Sequence, residues 1–435
     1  MERAKISARR PDTDAQQRPA GVGGELSVPT HLQRFLVRQP ILDSHYHIVG
    51  YELALRERVP VPALPGAQSL QQMRDEMLLT SVVDMAYRQA LGDRFTFLSV
   101  APDTLMNPML AQLPLDRIVL SVTGADLVHA PEPLLEVLAR GGIPLAVDEP
   151  LRQPDITNLL RQCRYIRLDV TRHDVPGLIG HVQALRGAGK ARLIARNVDT
   201  EEAHEACRKL QFDLFQGYYF TCLQPGFRNR IDSSRQRIME LLNLVMTQAE
   251  VSQIEARFKT DVGLTYKLLR LINSPAFGLR SPVKSIGQAL MLLGHDQLYR
   301  WLILLLFIQG PTDPRGQALL RNALIRARFA EQLGESRLPA GERGGLFLVG
   351  ILSTLDALFN VPMDQALSQL RLPDEVVAAL TRREGLYAPY LQLVLACEQF
   401  DQEGIAHMPE LVGATPEEVN LAHVKAMIWA EDLDT

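Results

Sequence analysis

From Phe35 to about Phe220, short apolar runs alternate with segments of helical spacing. The runs Phe35–Ile41, Ile48–Leu55, Phe95–Val100, Ile118–Val122, Pro144–Val147, Tyr165–Leu168, Ala191–Ala195 and Gly217–Phe220 predict strands. Between them, Ser69–Ala90, Pro133–Arg140, Val175–Arg186 and Glu201–Leu210 carry apolar residues at helical intervals. Strands alternating with helices predict a parallel sheet of βα units. Seven or eight units over roughly 190 residues predict a compact (β/α) barrel, shorter than the ~250 residues typical of that fold.

After Arg228 the pattern changes and strand-like runs disappear. Ile238–Ala249, Thr265–Ile272, Ile286–Leu293, Leu298–Ile308, Ala318–Leu333, Leu346–Leu358, Pro373–Thr381 and Tyr390–Phe400 all show helical spacing. Asn273-Ser-Pro275, Gly310-Pro-Thr-Asp-Pro314 and Pro339-Ala-Gly341 mark loops. The fold class expected is therefore α/β plus all-α. A polar stretch rich in Arg, Gln, Pro and Gly, residues 1–32, predicts a disordered tail. A barrel is expected over 33–227 and a helical domain over 228–435, with the boundary near Pro225-Gly-Phe-Arg228.

Composition agrees with globular domains: 46% of the 435 residues are hydrophobic and 22% charged. A formal charge of −4 supplies no strong field toward nucleic acid or an anionic membrane. Cys163, Cys207, Cys222 and Cys397 form no CxxC pair, so no disulfide framework or structural zinc site is expected. No apolar segment follows Arg9-Arg10, and Trp301–Ile308 is far shorter than the ~20 residues of a membrane span. A cytoplasmic protein without membrane insertion is expected.

The strand Arg38-Gln-Pro-Ile41 followed by Gly50-Tyr-Glu-Leu-Ala-Leu-Arg56 resembles the opening of an EAL domain. Asp148-Glu149, Ile166-Arg-Leu-Asp169, Ile194-Ala-Arg-Asn-Val-Asp-Thr200 and Phe215-Gln-Gly-Tyr-Tyr-Phe220 resemble later EAL segments in the right order. In the second half, Asp261-Val-Gly-Leu-Thr-Tyr-Lys-Leu-Leu-Arg-Leu-Ile-Asn-Ser274 and Ser281–Gly294 are similar to the HDOD signature. The whole resembles the YuxH-type bacterial signalling proteins. That resemblance implies an EAL-like (β/α) barrel followed by an all-helical HDOD bundle, and EAL domains hydrolyse cyclic di-GMP.

Several positions depart from the EAL pattern. The family's hydrolysis uses two divalent metals, which need several oxygen ligands. The resemblance places Glu52, Asp148 and Glu149 at acidic positions of that site. It also places Ser99 where the family has Asn, Ser121 where it has Glu, Arg196 at another Glu, and Arg167 at a Lys. A fixed positive charge at Arg196 opposes a cation: two unit charges ~4 Å apart at an effective dielectric of ~20 interact by about 4 kcal/mol. In the helical half, Ser353 and Thr354 stand where the related HD hydrolases have their His-Asp pair, and no histidine occurs between His295 and His407.

The expectation is a non-catalytic signalling protein that binds other proteins, without metal or cofactor and without specific nucleic-acid binding. Glu52, Arg56, Asp148, Glu149 and Gln216 form a residual set for cyclic di-GMP, with Arg196 expected to pair with Glu52 or Asp148. The alternatives are a cyclic di-GMP receptor that does not cleave its ligand and a weak cyclic di-GMP phosphodiesterase. His45 and His47 are expected at a turn, and Arg321, Arg326 and Arg328 on a solvated helix face.

Overall fold

The computed structural model describes residues 34–57, 92–128, 144–150, 163–224, 231–274, 282–307 and 313–433, with short pieces within 72–82 and at 160–161. The expected tail, the helix at Pro133–Arg140, most of the helix at Ser69–Ala90 and the boundary near Pro225 lie outside the described residues.

Eight strands close into a barrel in sequence order: β1 (Arg34–Asp43), β2 (Ile48–Glu57), β3 (Phe95–Ser99), β4 (Ile118–Thr123), β5 (Leu145–Asp148), β6 (Tyr165–Asp169), β7 (Arg192–Arg196) and β8 (Leu214–Gln216). The strands β2 to β8 run parallel, but β1 is antiparallel to both β2 and β8. The expectation of a wholly parallel sheet is corrected here. Only the four residues Ser44–His47 join β1 to β2, too few for the crossover a parallel pair needs. Asp43 closes this turn by accepting from the backbone N–H of His45 and of His47. The last strand also differs from expectation. It is Leu214–Gln216, while Tyr219–Thr221 form a 3-10 turn.

Because side chains alternate across a strand, the barrel interior fills in two layers. Ile41, Phe97, Val119, Ala146, Tyr165, Ile194 and Leu214 form an apolar lower layer. Two residues further on in β3 to β8 come Ser99, Ser121, Asp148, Arg167, Arg196 and Gln216. Gln39 and Glu52, paired across β1 and β2, join this upper, polar layer.

The helical half comprises helices from Ser233–Met246 through Pro416–Asp432. Ile286–Phe307 is, among the described residues, the helix long and apolar enough by composition to cross a membrane, but Gly294 interrupts it with φ 68°. Leu302, Ile303, Leu305, Leu306 and Phe307 are buried in the core.

Barrel and helices share one core. The strand β8 reaches only Ile41–Asp43 of β1, so the rest of that edge needs other partners. The helix Pro416–Asp432 supplies them. Asn420 accepts from Leu36 N at 2.7 Å and donates to Arg34 O at 2.9 Å, and His423 Nδ1 lies 3.1 Å from Leu36 O. The chain leaving β8 is held as well: Arg315 donates to Cys222 O, and Asn360 bonds both backbone groups of Gln224.

Candidate functional site at the barrel mouth

The polar layer lies at the C-terminal ends of the parallel strands, the face that carries active sites in (β/α) barrels. Its centre is Arg167, a guanidinium on β6 with no exposure. Arg167 Nη2 donates to Glu52 Oε1 at 2.8 Å and to Asp148 Oδ2 at 2.9 Å. Its Nε sits 2.8 Å from Asp148 Oδ1, and Nη1 donates to Ser121 Oγ at 3.1 Å. A buried guanidinium requires such partners, since an unpaired buried charge is very costly.

Arg196, one strand further round, adds a second cation. Nη1 donates to Asp148 Oδ2 at 3.0 Å, and Nη2 lies 3.6 Å from Glu52 Oε2. The sequence-based expectation of this pairing holds. What it missed is that Arg167, read there only as replacing a lysine, is the main partner of both acids. The signal was available: a cation at an inward-facing position two residues after Tyr165.

Glu52 receives two further donors. Ser99 Oγ donates at 2.9 Å, and Gln216 Nε2 donates to Glu52 and also to Gln39 Oε1. Burial by itself would raise the Glu52 carboxyl, but the charges of Arg167 and Arg196 and the Gln216 bond hold it well below the usual range.

Glu149 turns away from this cluster. Its backbone is left-handed, with φ 48°. The carboxylate accepts from Asp169 N, and Oε2 lies 2.9 Å from His173 Nε2. Neither Arg167 nor Arg196 bonds it. Arg56 lies apart from the set, with its guanidinium 5.3 Å from the centre of the Phe400 ring.

Divalent metals do not fit the mouth as built. Both acids are occupied by guanidinium groups, Ser99 and Ser121 are engaged in that same network, and the two cations oppose a third. Among the described residues, no group of three or more His, Cys, Asp or Glu is placed to hold a metal ion.

A second arginine centre occupies the helical half. Arg326 Nη1 donates to Ser353 Oγ at 2.9 Å, at the position where the HD resemblance places a histidine. Thr354 beside it is fully buried. The expectation that Arg321 and Arg326 lie on a solvated face is corrected. Arg321 is 5% and Arg326 4% exposed, because Tyr51 and Glu431 bond the first and Glu398 the second. Arg328 is partly buried and pairs with Glu331. His45 and His47 stand exposed at the β1–β2 turn, as expected.

Residues 230–372 match the family model of the HDOD domain. The chain carries an HDOD domain. It follows the eight-stranded barrel in the same polypeptide. Cyclic di-GMP phosphodiesterase CdgJ of Vibrio cholerae is 25% identical over 410 residues, spanning 92% of this chain and 93% of that protein. Uncharacterized protein YuxH of Bacillus subtilis is 23% identical over 414 residues, 92% and 98% of the two chains. Among solved structures, the FimX EAL domain from Pseudomonas aeruginosa bound to c-di-GMP is 20% identical, covers 43% of this chain and 89% of its own, and has a TM-score of 0.34. The EAL domain of Mycobacterium smegmatis DcpA is 19% identical, with coverage of 42% and 90% and the same TM-score, 0.34. At these scores the structural likenesses add nothing to the barrel already described.

The expectation of a non-catalytic protein, not an enzyme, is corrected by the first of these relatives. A protein similar along nearly the whole chain is named a phosphodiesterase. The expectation rested on the replaced metal ligands and on the fixed charge of Arg196.

Proposed function

We propose that this protein is a weak cyclic di-GMP phosphodiesterase working at the barrel mouth. The observation that carries the reading is the similarity to CdgJ across both halves of the chain. The retained set Glu52, Asp148, Glu149 and Gln216 at the strand ends supports it, and Arg56 stands outside that set. Hydrolysis forms a bond from water oxygen to phosphorus and breaks one P–O ester bond, opening the ring to a linear dinucleotide. The attacking water gives up a proton, and the departing ester oxygen takes one. Glu149 is the acid suited to accept, because no arginine holds it and His173 Nε2 fixes its orientation at 2.9 Å.

The test is incubation of the full chain with cyclic di-GMP, with the linear dinucleotide followed by chromatography. Slow turnover that falls at least tenfold in Glu149→Gln is expected. Full-length protein that is folded and yields no linear product under any buffer tried would end the reading.

A further inference from the structure

We propose that Arg196 holds the phosphodiester of the ligand directly, so that cyclic di-GMP binds at the barrel mouth without a divalent cation. The inference rests on the reading that the ligand is cyclic di-GMP, and not on its hydrolysis.

The two guanidiniums are not equivalent. Arg167 is sealed in the barrel and by itself reaches Glu52 at 2.8 Å and Asp148 at 2.8 and 2.9 Å. Ser99 and Gln216 also serve Glu52. Both acids therefore stay compensated without Arg196. Arg196 makes one direct bond, to Asp148 at 3.0 Å, and its contact with Glu52 at 3.6 Å is beyond hydrogen-bonding range. It retains 27% side-chain exposure, where Arg167 has none. Its Nε is buried and has no hydrogen-bond partner among the described residues.

Arg196 is thus a partly exposed cation held by one direct bond, able to exchange a shared acid for a phosphate. Guanidinium can offer phosphate two parallel N–H donors and the positive charge that a metal would otherwise supply. The charges point the same way. Glu52 and Asp148 already balance Arg167 and Arg196. An incoming phosphodiester that takes over Arg196 leaves the two acids shared by Arg167, whereas a divalent cation would have to displace both guanidinium groups from the acids that must ligate it.

The experiment is calorimetric titration of the full-length protein with cyclic di-GMP, first in EDTA and then in excess Mg²⁺, for wild type, Arg196→Ala and Arg196→Lys. Turnover is measured in parallel. Wild type is expected to bind in EDTA with an affinity within twofold of that in Mg²⁺. Arg196→Ala is expected to weaken binding at least tenfold, and Arg196→Lys to recover part of it, which a merely structural loss would not do. Thermal melts confirm that each variant is folded. Binding that needs Mg²⁺, equal binding by Arg196→Ala, or no binding in EDTA overturns the inference. Turnover with Mg²⁺ but silence in EDTA would remove this mode of recognition and leave the phosphodiesterase reading standing. Binding in EDTA without any turnover would do the reverse.

Discussion

Glu398 takes both arms of one guanidinium: Arg326 Nε donates to Oε2 and Nη2 to Oε1, each at 2.7 Å. Asn322 Nδ2 also donates to Oε1 at 2.9 Å, and its Oδ1 accepts from Arg38 of β1 at 3.1 Å. Tyr218, two residues beyond Gln216 in the barrel mouth, donates to the backbone carbonyl of Glu398. The strand end that closes the barrel and the buried ion pair of the helical half are therefore one connected polar network.

Glu398→Gln is expected to destabilise the whole protein, since Arg326 and Glu398 are 4% and 2% exposed. Removing one partner of a buried pair leaves the other charge uncompensated, a cost of about 3–5 kcal/mol. The check is urea unfolding followed by far-ultraviolet circular dichroism. The transition should stay single and move to lower urea. A variant as stable as wild type would show that the network contributes little.

This network marks the limit of what the sequence displays. Strand positions were legible because apolar runs of four to eight residues stood between breakers. The inward polar layer was legible in part, through Glu52, Asp148, Arg196 and Gln216. The buried state of Arg326 was not, because its partner lies 72 residues away and a charged residue on a helix carries no mark of what faces it. The closing strand was placed at Gly217–Phe220 because Tyr218-Tyr-Phe220 is a short apolar run. Those aromatics instead pack outward: Tyr219 stacks on His204 at 4.2 Å and Phe220 is fully buried.

Arg167 and Arg196 should separate in mutational cost. Arg167→Ala leaves Glu52 and Asp148 short of their main partner in a sealed barrel, and about 3–5 kcal/mol is expected. Arg196→Ala leaves Arg167 in place and removes a partly exposed side chain, so about 1 kcal/mol is expected. Parallel urea titrations of the two variants give the comparison. Equal losses would mean that the acids are shared evenly between the two cations.

Gly217 links the mouth to the helical half, and its backbone permits no substitute. Its φ is 154°, and a Cβ there would fall 2.0 Å from Val198 O. Gly217→Ala must push the strand end away from Val198, which breaks the Val198 N to Gln216 O bond of 3.0 Å. Strain of this kind costs more than the ~1 kcal/mol a compatible change would shift. A loss of at least 2 kcal/mol is expected, together with weaker cyclic di-GMP binding because Gln216 moves with the strand. A variant with wild-type melting would contradict the close approach.

His423 gives the fold an acid-side weakness that can be isolated. It is fully enclosed, stacked on Phe329 at 4.6 Å, with Nδ1 at 3.1 Å from Leu36 O. Burial first, and then the nearby Arg38 charge, push its pKa down to about 3. The ring is therefore neutral in the folded protein, with Nδ1–H donating to the carbonyl. In the unfolded chain it titrates near its ordinary 6.5. Below that value the unfolded state binds a proton that the folded state refuses, so stability is complete above pH 6.5 and falls as pH drops toward 3. One proton corresponds to about 1.4 kcal/mol per pH unit. From pH 6.5 to pH 5 the group should therefore remove about 2 kcal/mol, before Glu52 and Glu398, both held below the usual carboxylate range, begin to contribute. His423→Gln keeps a donor for Leu36 O and has no charge to gain. Urea unfolding at pH 7 and pH 5 should show the wild type losing about 2 kcal/mol more than this variant over that interval. Identical losses would mean that His423 takes up its proton in the folded state, and that the cover over β1 is looser than its contacts imply.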